Sequence, residues 1–483
     1  MAIIICILSA AFSGMSFITD YTCPLLLFAP GLFFFSLYDE KRPFFKGFVF
    51  GTVFYMFNSI YLSSFDISFI TQNLFLAKLL PFLAYLLLCS VEGLFAAFFA
   101  KAFVYLKKRS PEGFHTLVFA SLWIIYEYLI SLPDYFTGYP FGRISLPFAA
   151  CPWFIQSASL FGSLFISFIV IYFSASFSMC FIKKSSRPML YPLILLVANT
   201  LVSSYLYSLP DEGEAVTVKV VQNGYGGYDK WLTPPDVIIN ESSAEISDTE
   251  IVLFAESAIP LHLNKNIALT TLSKAAEDKN ITVLLGALYA DTDGKRYTSV
   301  YHLPYEEGEV YHKMHPVPFG EYYPIFDLFS AEAREAGLSK GKEVKLLSDY
   351  SLGPVICFDS MFSSYSNDAV RKGARLLCVS TNDSWFSKGN AAKLHLYHSV
   401  YRAIENGRYV ARSACTGISA FIDSFGNILD TIPLNAADTI KGTLLLKDEI
   451  TPYTLWGDVP ILIYAVIAII IALLRDVRRK KNV

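Results

Sequence analysis

Three residues in the second half of the chain have side chains that together could perform acyl transfer. Glu256 follows the apolar run Ile251–Ala255, Lys313 follows a tyrosine-rich stretch, and Cys357 follows Pro354–Ile356. A thiol becomes a nucleophile when a base takes its proton, and the oxyanion formed at the attacked carbonyl needs a positive donor. Glutamate, lysine and cysteine supply these functions. We therefore take Glu256 as a candidate proton acceptor, Lys313 as an oxyanion stabiliser and Cys357 as a nucleophile.

Each of the three residues also has a purely structural interpretation. A cysteine after an apolar strand is more often a small buried side chain than a nucleophile. A glutamate at such a position is often only the acidic residue of a helix N-terminus, and a lysine flanked by His312 and His315 is usually solvated. The catalytic hypothesis therefore depends on the order and context of all three residues.

The segments that must position these residues alternate between strands and helices. Short β-rich runs predict the strands Val216–Gln222, Ile251–Ala255, Thr282–Ala290, Ser299–Leu303, Val355–Phe358, Leu376–Ser380, Ser419–Asp423 and Gly442–Leu446. Apolar spacing predicts the helices Ile267–Lys279, Phe362–Lys372 and Lys393–Asn406. The alternation indicates an α/β layer fold, in which a sheet or a pair of sheets is covered by helices. Such folds place their chemistry at the carboxyl ends of the strands.

Composition divides the chain into two environments. Of its 483 residues, 54% are hydrophobic and 17% are charged, which is too apolar for an ordinary soluble enzyme. Residues 1–209 contain 20 charged side chains, whereas residues 210–457 contain 54 with a formal net charge of −10. A polar, acidic block is thus enclosed between hydrophobic segments.

Eight hydrophobic segments approach the roughly 20 residues that a membrane-spanning helix needs. They are Ala2–Thr19, Pro24–Tyr38, Phe44–Ser63, Leu74–Leu106, Phe114–Leu132, Pro152–Ile182, Met189–Leu209 and Val459–Leu474. The first lacks a basic start and a small-residue cleavage pattern, so we expect it to be a retained span. The first two could instead form a tilted or re-entrant hairpin.

Loop charges predict the orientation of these spans, because Lys and Arg in short loops stay on the cytoplasmic side. Four basic clusters exist, at residues 41–42, 107–109, 183–187 and 475–481. With eight spans and a cytoplasmic N-terminus, all four clusters lie on the same side. The polar block between the seventh and eighth spans is then extracytoplasmic.

Other kinds of site find little support in the sequence. Five of the eight cysteines fall in or beside hydrophobic segments and no CxxC spacing occurs, so we expect neither a disulfide framework nor structural zinc. The seven histidines are scattered. We predict no metal and no cofactor, and the acidic charge of the block argues against nucleic acid.

The motifs around the three candidate residues resemble the carbon–nitrogen hydrolase (nitrilase) superfamily. They read Phe-Ala-Glu-Ser-Ala-Ile-Pro at Glu256, Lys-Met-His-Pro-Val-Pro-Phe-Gly-Glu from Lys313, and Val-Ile-Cys-Phe-Asp at Cys357. Together with the hydrophobic segments they resemble the bacterial apolipoprotein N-acyltransferase family. Further segments agree, namely residues 138–141, 221–223 with Trp231, 381–386, 402–408, 416–420 and 451–458.

The resemblance implies a fold, an activity and a location. The fold would be a polytopic helical membrane domain of about eight transmembrane helices plus an α-β-β-α nitrilase-like domain, divided as 1–209, 210–456 and 457–483. The activity would be transfer of a fatty acyl group from a membrane phospholipid, through a Cys357 thioester, to the N-terminal amine of diacylglyceryl-cysteine on apolipoproteins. The protein would be a multi-pass monomer of the bacterial inner membrane with a periplasmic catalytic domain.

The resemblance also implies supporting and binding residues. Glu321 would orient Lys313 or accept the amine proton. We expect the acyl group to lie against Trp231, Phe358, Met361, Trp385 and Phe386, although ordinary core packing is the more frequent role for any single one of these side chains. Asp359 stands where glutamate is usual, so its supporting hydrogen bonds must be arranged differently or through water. Phe358 stands where tyrosine is frequent and lacks a hydroxyl.

Three other functions remain open at this point. The same triad could serve a membrane-tethered amidase or nitrilase that hydrolyses a C–N bond of a small substrate. Cys357 could pair with His395 or His398 in a cysteine protease. A transporter or scaffold is disfavoured, because the spans contain few paired charges that could form a pathway.

Overall fold

The computed structural model describes residues 1–65, 73–132, 138–227, 229–318, 320–322, 337–386 and 389–481. Contacts divide the chain into two compact units. The first comprises 1–209, 388–397 and 456–483, and the second comprises 210–387 and 398–455. The domain limits at 209/210 and 456/457 stay predictions.

The first unit is built from apolar helices. Its α-helices are Ala2–Met15, Ala29–Leu37, Pro43–Asn58, Leu74–Lys107, His115–Ile130, Ala158–Phe161, Ser163–Lys183, Leu190–Tyr207 and Val459–Lys481. A 3-10 helix, Asp20–Leu27, leads into the second of these. Stacked phenylalanines fill the interior, with the rings of Phe33 and Phe50 4.0 Å apart.

Each of the eight predicted hydrophobic segments contains a helix, but the helices differ in length. By length and composition, five stretches of the described chain could cross a membrane: Asp20–Leu37, Leu74–Lys107, Glu112–Ile130, Ser163–Lys183 and Arg187–Tyr207. Ala2–Met15 and Val459–Arg475 are shorter apolar helices. The polytopic helical class is therefore confirmed, whereas the exact number of spans stays a prediction.

The second unit contains two β-sheets. Its strands are β1 Glu214–Gln222, β2 Ile251–Phe254, β3 Ile259–His262, β4 Thr282–Ala290, β5 Arg296–Leu303, β6 Val310–His312, β7 Leu352–Ile356, β8 Leu376–Thr381, β9 Val410–Ala414, β10 Ser419–Ile422, β11 Ile428–Ile432 and β12 Asp438–Leu446. One sheet has the order β12-β1-β2-β4-β5-β6, with β3 also on β4, and the other has the order β11-β10-β9-β8-β7. Strands β1, β2 and β4 run parallel, as do β7, β8 and β9.

The two sheets pack face to face around the main core. Val218 and Leu253 of the first sheet meet Ile356, Cys378 and other apolar side chains of the second. The outer face of the first sheet buries a second cluster against the helices Pro235–Glu245 and Ala268–Lys279. On the other side, the helix Ser363–Arg371 packs on β7. This α-β-β-α layering agrees with the predicted fold class.

Hydrogen bonds join the two sheets where their parallel strands end. The Ser380 hydroxyl donates to the Phe254 carbonyl at 2.9 Å, and the Ser413 hydroxyl donates to the Val221 carbonyl at 2.7 Å. These bonds satisfy backbone groups that would otherwise be buried without partners. They fix the relative position of the strand ends that carry the candidate residues.

All eight predicted strands and all three predicted helices of this unit exist, with ends shifted by a few residues. One shift affects the site, because β7 ends at Ile356 and Cys357 begins a 3-10 turn instead of continuing the strand. Strands β3, β6, β9 and β11 and the helix Pro235–Glu245 were not predicted. These segments are short or carry polar residues that interrupt the apolar pattern.

Candidate active site

Glu256 is held in place by its backbone. It is the second residue after β2, and Ser257 after it has a left-handed φ of +49°. The Cys415 thiol donates a hydrogen bond to the Glu256 carbonyl at 3.2 Å. Gly286 on β4 lies so close that a Cβ there would collide with the Ala255 carbonyl. Contacts from β4 and from the residue after β9 thus constrain the backbone at Glu256.

Lys313 lies between two carboxylates. It follows β6 and is 1% exposed, with its Nζ 2.8 Å from Glu256 Oε1 and 2.8 Å from Glu321 Oε2. The Val317 amide donates to Glu321 Oε2 at 2.6 Å, which orients that carboxylate. Burial alone would lower the pKa of Lys313, but the two glutamates outweigh it and raise the pKa well above its usual range. The site therefore holds a permanent buried cation.

Cys357 has a strained backbone at the start of a turn. Its φ is +48°, a left-handed conformation that costs a non-glycine residue about 1–2 kcal/mol, and its side chain is partly exposed. Desolvation raises the pKa of the thiol, the Glu256 carboxylate raises it further, and Lys313 acts in the opposite direction. The resting thiol is thus protonated, and attack on a carbonyl requires a base.

Asp359 connects the Lys313 segment to the Cys357 segment. Its carboxylate accepts hydrogen bonds from the Met314 amide at 3.0 Å and the His315 amide at 2.7 Å. The Tyr311 hydroxyl donates to the same carboxylate at 3.4 Å. The shorter aspartate side chain therefore reaches both amides directly. Because Met314 and His315 follow Lys313, Asp359 ties the segment of Lys313 to the segment of Cys357.

A buried ion pair that the sequence analysis missed lies near Cys357. Arg412 donates to Asp383 Oδ2 at 2.7 Å, and both side chains are fully buried. The Thr381 hydroxyl donates to Asp383 Oδ1 at 3.0 Å, and Arg412 also donates to the Ile418 carbonyl at 3.1 Å. The charge of Asp383 raises the pKa of the Cys357 thiol, whereas a hydrogen bond with Thr381 lowers it. The sequence signal that could have revealed this pair was an arginine, Arg412, between the apolar residues of strand β9.

The predicted binding residues occupy different environments. Phe358 and Met361 are buried, Phe386 is partly buried and Trp231 is half exposed. The Phe358 ring stacks on His315 with 5.6 Å between centroids. The side chain of Trp385 lies outside the described part of the structure. That these residues form one acyl pocket stays a prediction.

Asp359 gives the site an expected pH dependence. Burial raises the pKa of its carboxyl to about 7, although Lys313 and the two amides lower it, whereas the value in an unfolded chain is about 3.9. The folded state therefore retains a proton that the unfolded state releases between about pH 4 and pH 7. The stability that this proton contributes is fully present below about pH 4 and is lost as the pH rises through about 7.

We expect Asp359→Asn to remove this contribution. As the pH rises from about 4 to about 7, the free energy of unfolding of the wild type should fall relative to that of the variant by up to about 1.4 kcal/mol per pH unit. Thermal unfolding in detergent at several pH values from 4 to 8 measures the difference. Asp368→Asn, at an exposed position, is the control and should follow the wild type. Parallel curves for wild type and Asp359→Asn would contradict the assignment.

The double sheet and the residues at its edge define a carbon–nitrogen hydrolase domain. The family model "Carbon-nitrogen hydrolase" matches residues 221–450. A second model, "Apolipoprotein N-acyltransferase N-terminal domain", matches residues 7–176. The two matches together cover most of the chain, which belongs to the apolipoprotein N-acyltransferase family. It is a multi-pass membrane protein.

Individual proteins are similar to parts or most of this chain. The chain is 26% identical over 430 residues to the apolipoprotein N-acyltransferase of Photobacterium profundum, covering 83% of this chain and 82% of the relative. It is 27% identical over 491 residues to that of Geobacter metallireducens, covering 94% and 91%. Among solved structures, Saccharomyces cerevisiae Nit3 of the nitrilase superfamily aligns with a TM-score of 0.37 and 19% identity, over 48% of this chain and 90% of that one.

Proposed function

We propose that the protein transfers a fatty acyl group from a membrane phospholipid to the N-terminal amine of diacylglyceryl-cysteine on apolipoproteins. The observation that carries the proposal is the position of the buried Lys313. Its Nζ lies 2.8 Å from both Glu256 and Glu321, and the charge of Lys313 lowers the pKa of the Cys357 thiol. This arrangement supplies a base, a cation and a nucleophile in one place. The family assignment supports a lipid donor and a lipoprotein acceptor.

The first half-reaction forms a thioester. Glu256 takes the thiol proton, and the Cys357 sulfur attacks an ester carbonyl carbon of the phospholipid. Lys313 stabilises the oxyanion of the tetrahedral intermediate. The C–O ester bond then breaks, and the leaving oxygen receives the proton from Glu256, so a lysophospholipid departs and the acyl group stays on sulfur.

The second half-reaction forms an amide. The free α-amine of the acceptor attacks the thioester carbonyl, and its proton passes to Glu256 or Glu321. The C–S bond breaks, and the Cys357 sulfur recovers a proton. An amide is more stable than a thioester, so this step is effectively irreversible. The two half-reactions together constitute a ping-pong cycle with a Glu256–Lys313–Cys357 triad.

The four basic clusters support a periplasmic catalytic domain on a protein of the inner membrane. Both lipid substrates are available on that side, and the enzyme would act as a monomer. A membrane-tethered amidase or nitrilase that hydrolyses a C–N bond of a small substrate is the weaker alternative, because residues 7–176 match the N-terminal domain of apolipoprotein N-acyltransferase.

A matched pair of acceptors tests the proposal. Purified enzyme and phospholipid are mixed with a peptide that begins with diacylglyceryl-cysteine, or with the same peptide after N-acetylation. We expect mass spectrometry to detect one added acyl chain on the free-amine peptide and none on the acetylated one. Release of free fatty acid at equal rates in both mixtures, without an amide product, would identify a hydrolase instead.

A further inference from the structure

The buried ion pair of Arg412 and Asp383 has no role in the chemistry above. Arg412 lies on β9, and Asp383 is the second residue after β8. Arg412 donates to Asp383 Oδ2 at 2.7 Å, and its other guanidinium nitrogens donate to the Ile418 carbonyl at 3.1 Å and to the Ser399 hydroxyl at 3.2 Å. A buried ion pair contributes little more to stability than apolar side chains of similar volume. The pair is therefore better explained by what it holds in place.

The ion pair determines where the hydroxyl of Thr381 points. Thr381 ends β8 and is fully buried, and its hydroxyl donates to Asp383 Oδ1 at 3.0 Å. Arg412 holds the other oxygen of this carboxylate, and a Cβ at Gly417 would lie only 2.5 Å from that oxygen, so the carboxylate has little room to turn. A hydroxyl has one hydrogen and two lone pairs. With its hydrogen on Asp383, the Thr381 oxygen can only accept a hydrogen bond from another neighbour.

Cys357 is such a neighbour. Strands β7 and β8 are parallel, and Ile356 at the end of β7 pairs with Ser380 of β8. Cys357 and Thr381 are the next residues along these two strands, and the turn that begins at Cys357 contacts β8. The Thr381 hydroxyl is a hydrogen-bond partner of the Cys357 thiol. The hydrogen-bonded chain that starts at Arg412 therefore ends at the sulfur of the nucleophile.

We propose that Asp383 is a positioning residue for the nucleophile: by holding the Thr381 hydrogen, it leaves the Cys357 sulfur beside an acceptor. A thiol can donate to an acceptor, whereas a thiolate requires a donor. The resting sulfur therefore keeps its own hydrogen until Glu256 takes it. Thr381 can donate to a thiolate only by releasing Asp383, so the chain opposes thiolate formation in the resting enzyme. This inference rests on the proposed function, in which Cys357 is the nucleophile.

Several charged side chains act on the same thiol. Burial is the largest cause of the raised pKa of the Cys357 thiol, and Glu256 after β2 raises it further. Lys313 after β6 lowers this pKa, and the charge of Asp383 after β8 raises it. The direct effect of the Asp383 charge does not depend on Thr381, whereas the proposed effect does. Replacement of Asp383 with and without the Thr381 hydroxyl therefore separates the two effects.

Alkylation of Cys357 by iodoacetamide tests the proposal, because only the thiolate reacts and no lipid is needed. The rate is followed between about pH 6 and about pH 10 by peptide mass spectrometry of Cys357. In Asp383→Asn, the amide can donate to Thr381, whose hydrogen then becomes available to the sulfur. We expect alkylation at neutral pH to be about tenfold to a hundredfold faster, as for a hydrogen bond to a charged group. In a Thr381→Val background, the same substitution should have at most about a third of this effect.

Three further variants separate this role from a purely structural one. Thr381→Ser retains the hydroxyl and should follow the pH profile of the wild type. Gly417→Ala keeps both charges but displaces the Asp383 carboxylate, so it should also accelerate alkylation, even if Asp383→Asn does not fold. Asp423→Asn replaces another buried aspartate of the same unit, which accepts from two backbone amides, and should leave the rate unchanged.

Two results would overturn the proposal. The first is equal acceleration by Asp383→Asn with and without the Thr381 hydroxyl, because the charge alone would then explain it. The second is an unchanged rate in both Asp383→Asn and Gly417→Ala. Failure of the proposed function is distinguishable from both, since wild-type Cys357 would then be alkylated by iodoacetamide but not acylated by phospholipid.

Discussion

Glu256→Gln is expected to slow acylation of Cys357 by about 10²–10⁴-fold, the usual contribution of a general base. Glutamine has nearly the shape of glutamate and can still accept a hydrogen bond from Lys313, whose Nζ lies 2.8 Å from Glu256 Oε1 in the wild type. It cannot accept the thiol proton. The acylation rate is measured by mixing the enzyme with phospholipid and no acceptor, quenching the reaction at several times and determining the intact mass of the protein.

A second effect of this substitution acts in the opposite direction. The Glu256 charge helps to raise the pKa of the Cys357 thiol, so its removal favours the thiolate. Desolvation is the larger cause of that raised pKa and remains in the variant, so we expect the loss of the base to dominate near pH 7. The variant should regain activity as the pH increases, more steeply than the wild type.

Glu245→Gln provides the control for the glutamate substitution. Glu245 pairs with Lys219 at a partly exposed position, and its replacement should leave acylation unchanged. A Glu256→Gln enzyme that acylates Cys357 at the wild-type rate would exclude Glu256 as the base. An equal loss in Glu245→Gln would point to a general effect on folding.

Lys313→Met is expected to lose both activity and stability. Loss of one oxyanion donor typically costs about 10²–10³-fold in rate. Removing one member of a buried ion pair costs about 3–5 kcal/mol, because the remaining charges lose their partner. In this protein two carboxylates, Glu256 and Glu321, would face each other without the cation between them.

Comparison of two further variants separates these effects. Lys313→Arg retains the charge, so the thermal midpoint should recover more than the rate does, because a planar guanidinium cannot occupy the position of the ammonium. Lys279→Met removes a lysine that donates to the Ile246 carbonyl at 2.6 Å, and should leave the rate unchanged. A Lys313→Met enzyme with the wild-type acylation rate would refute the assigned role.

The existence of the apolar strands was the most predictable part of the fold. Apolar runs determine β1, β2, β4 and β8, and Glu256 lies just after the end of β2. Strand β9 was missed, because Arg412 and Ser413 interrupt its apolar pattern. Both residues are accommodated by partners from distant parts of the chain, Asp383 and the Val221 carbonyl, which local patterns do not reveal.

The site was predictable to a similar degree. The motifs at Glu256, Lys313 and Cys357 indicated three groups of complementary chemistry, and Glu321 was expected beside Lys313. The direct bonds of Asp359 to two backbone amides depend on how closely β6 and β7 approach, which the sequence does not specify.

The central claim is that Cys357 carries the acyl group between donor and acceptor. Intact-protein mass spectrometry after mixing with phospholipid alone should detect one long-chain acyl adduct. The adduct should be absent from Cys357→Ala and retained in Cys378→Ala, whose thiol is buried in β8. Folded wild-type protein without an adduct, or an adduct that persists in Cys357→Ala, would contradict the account.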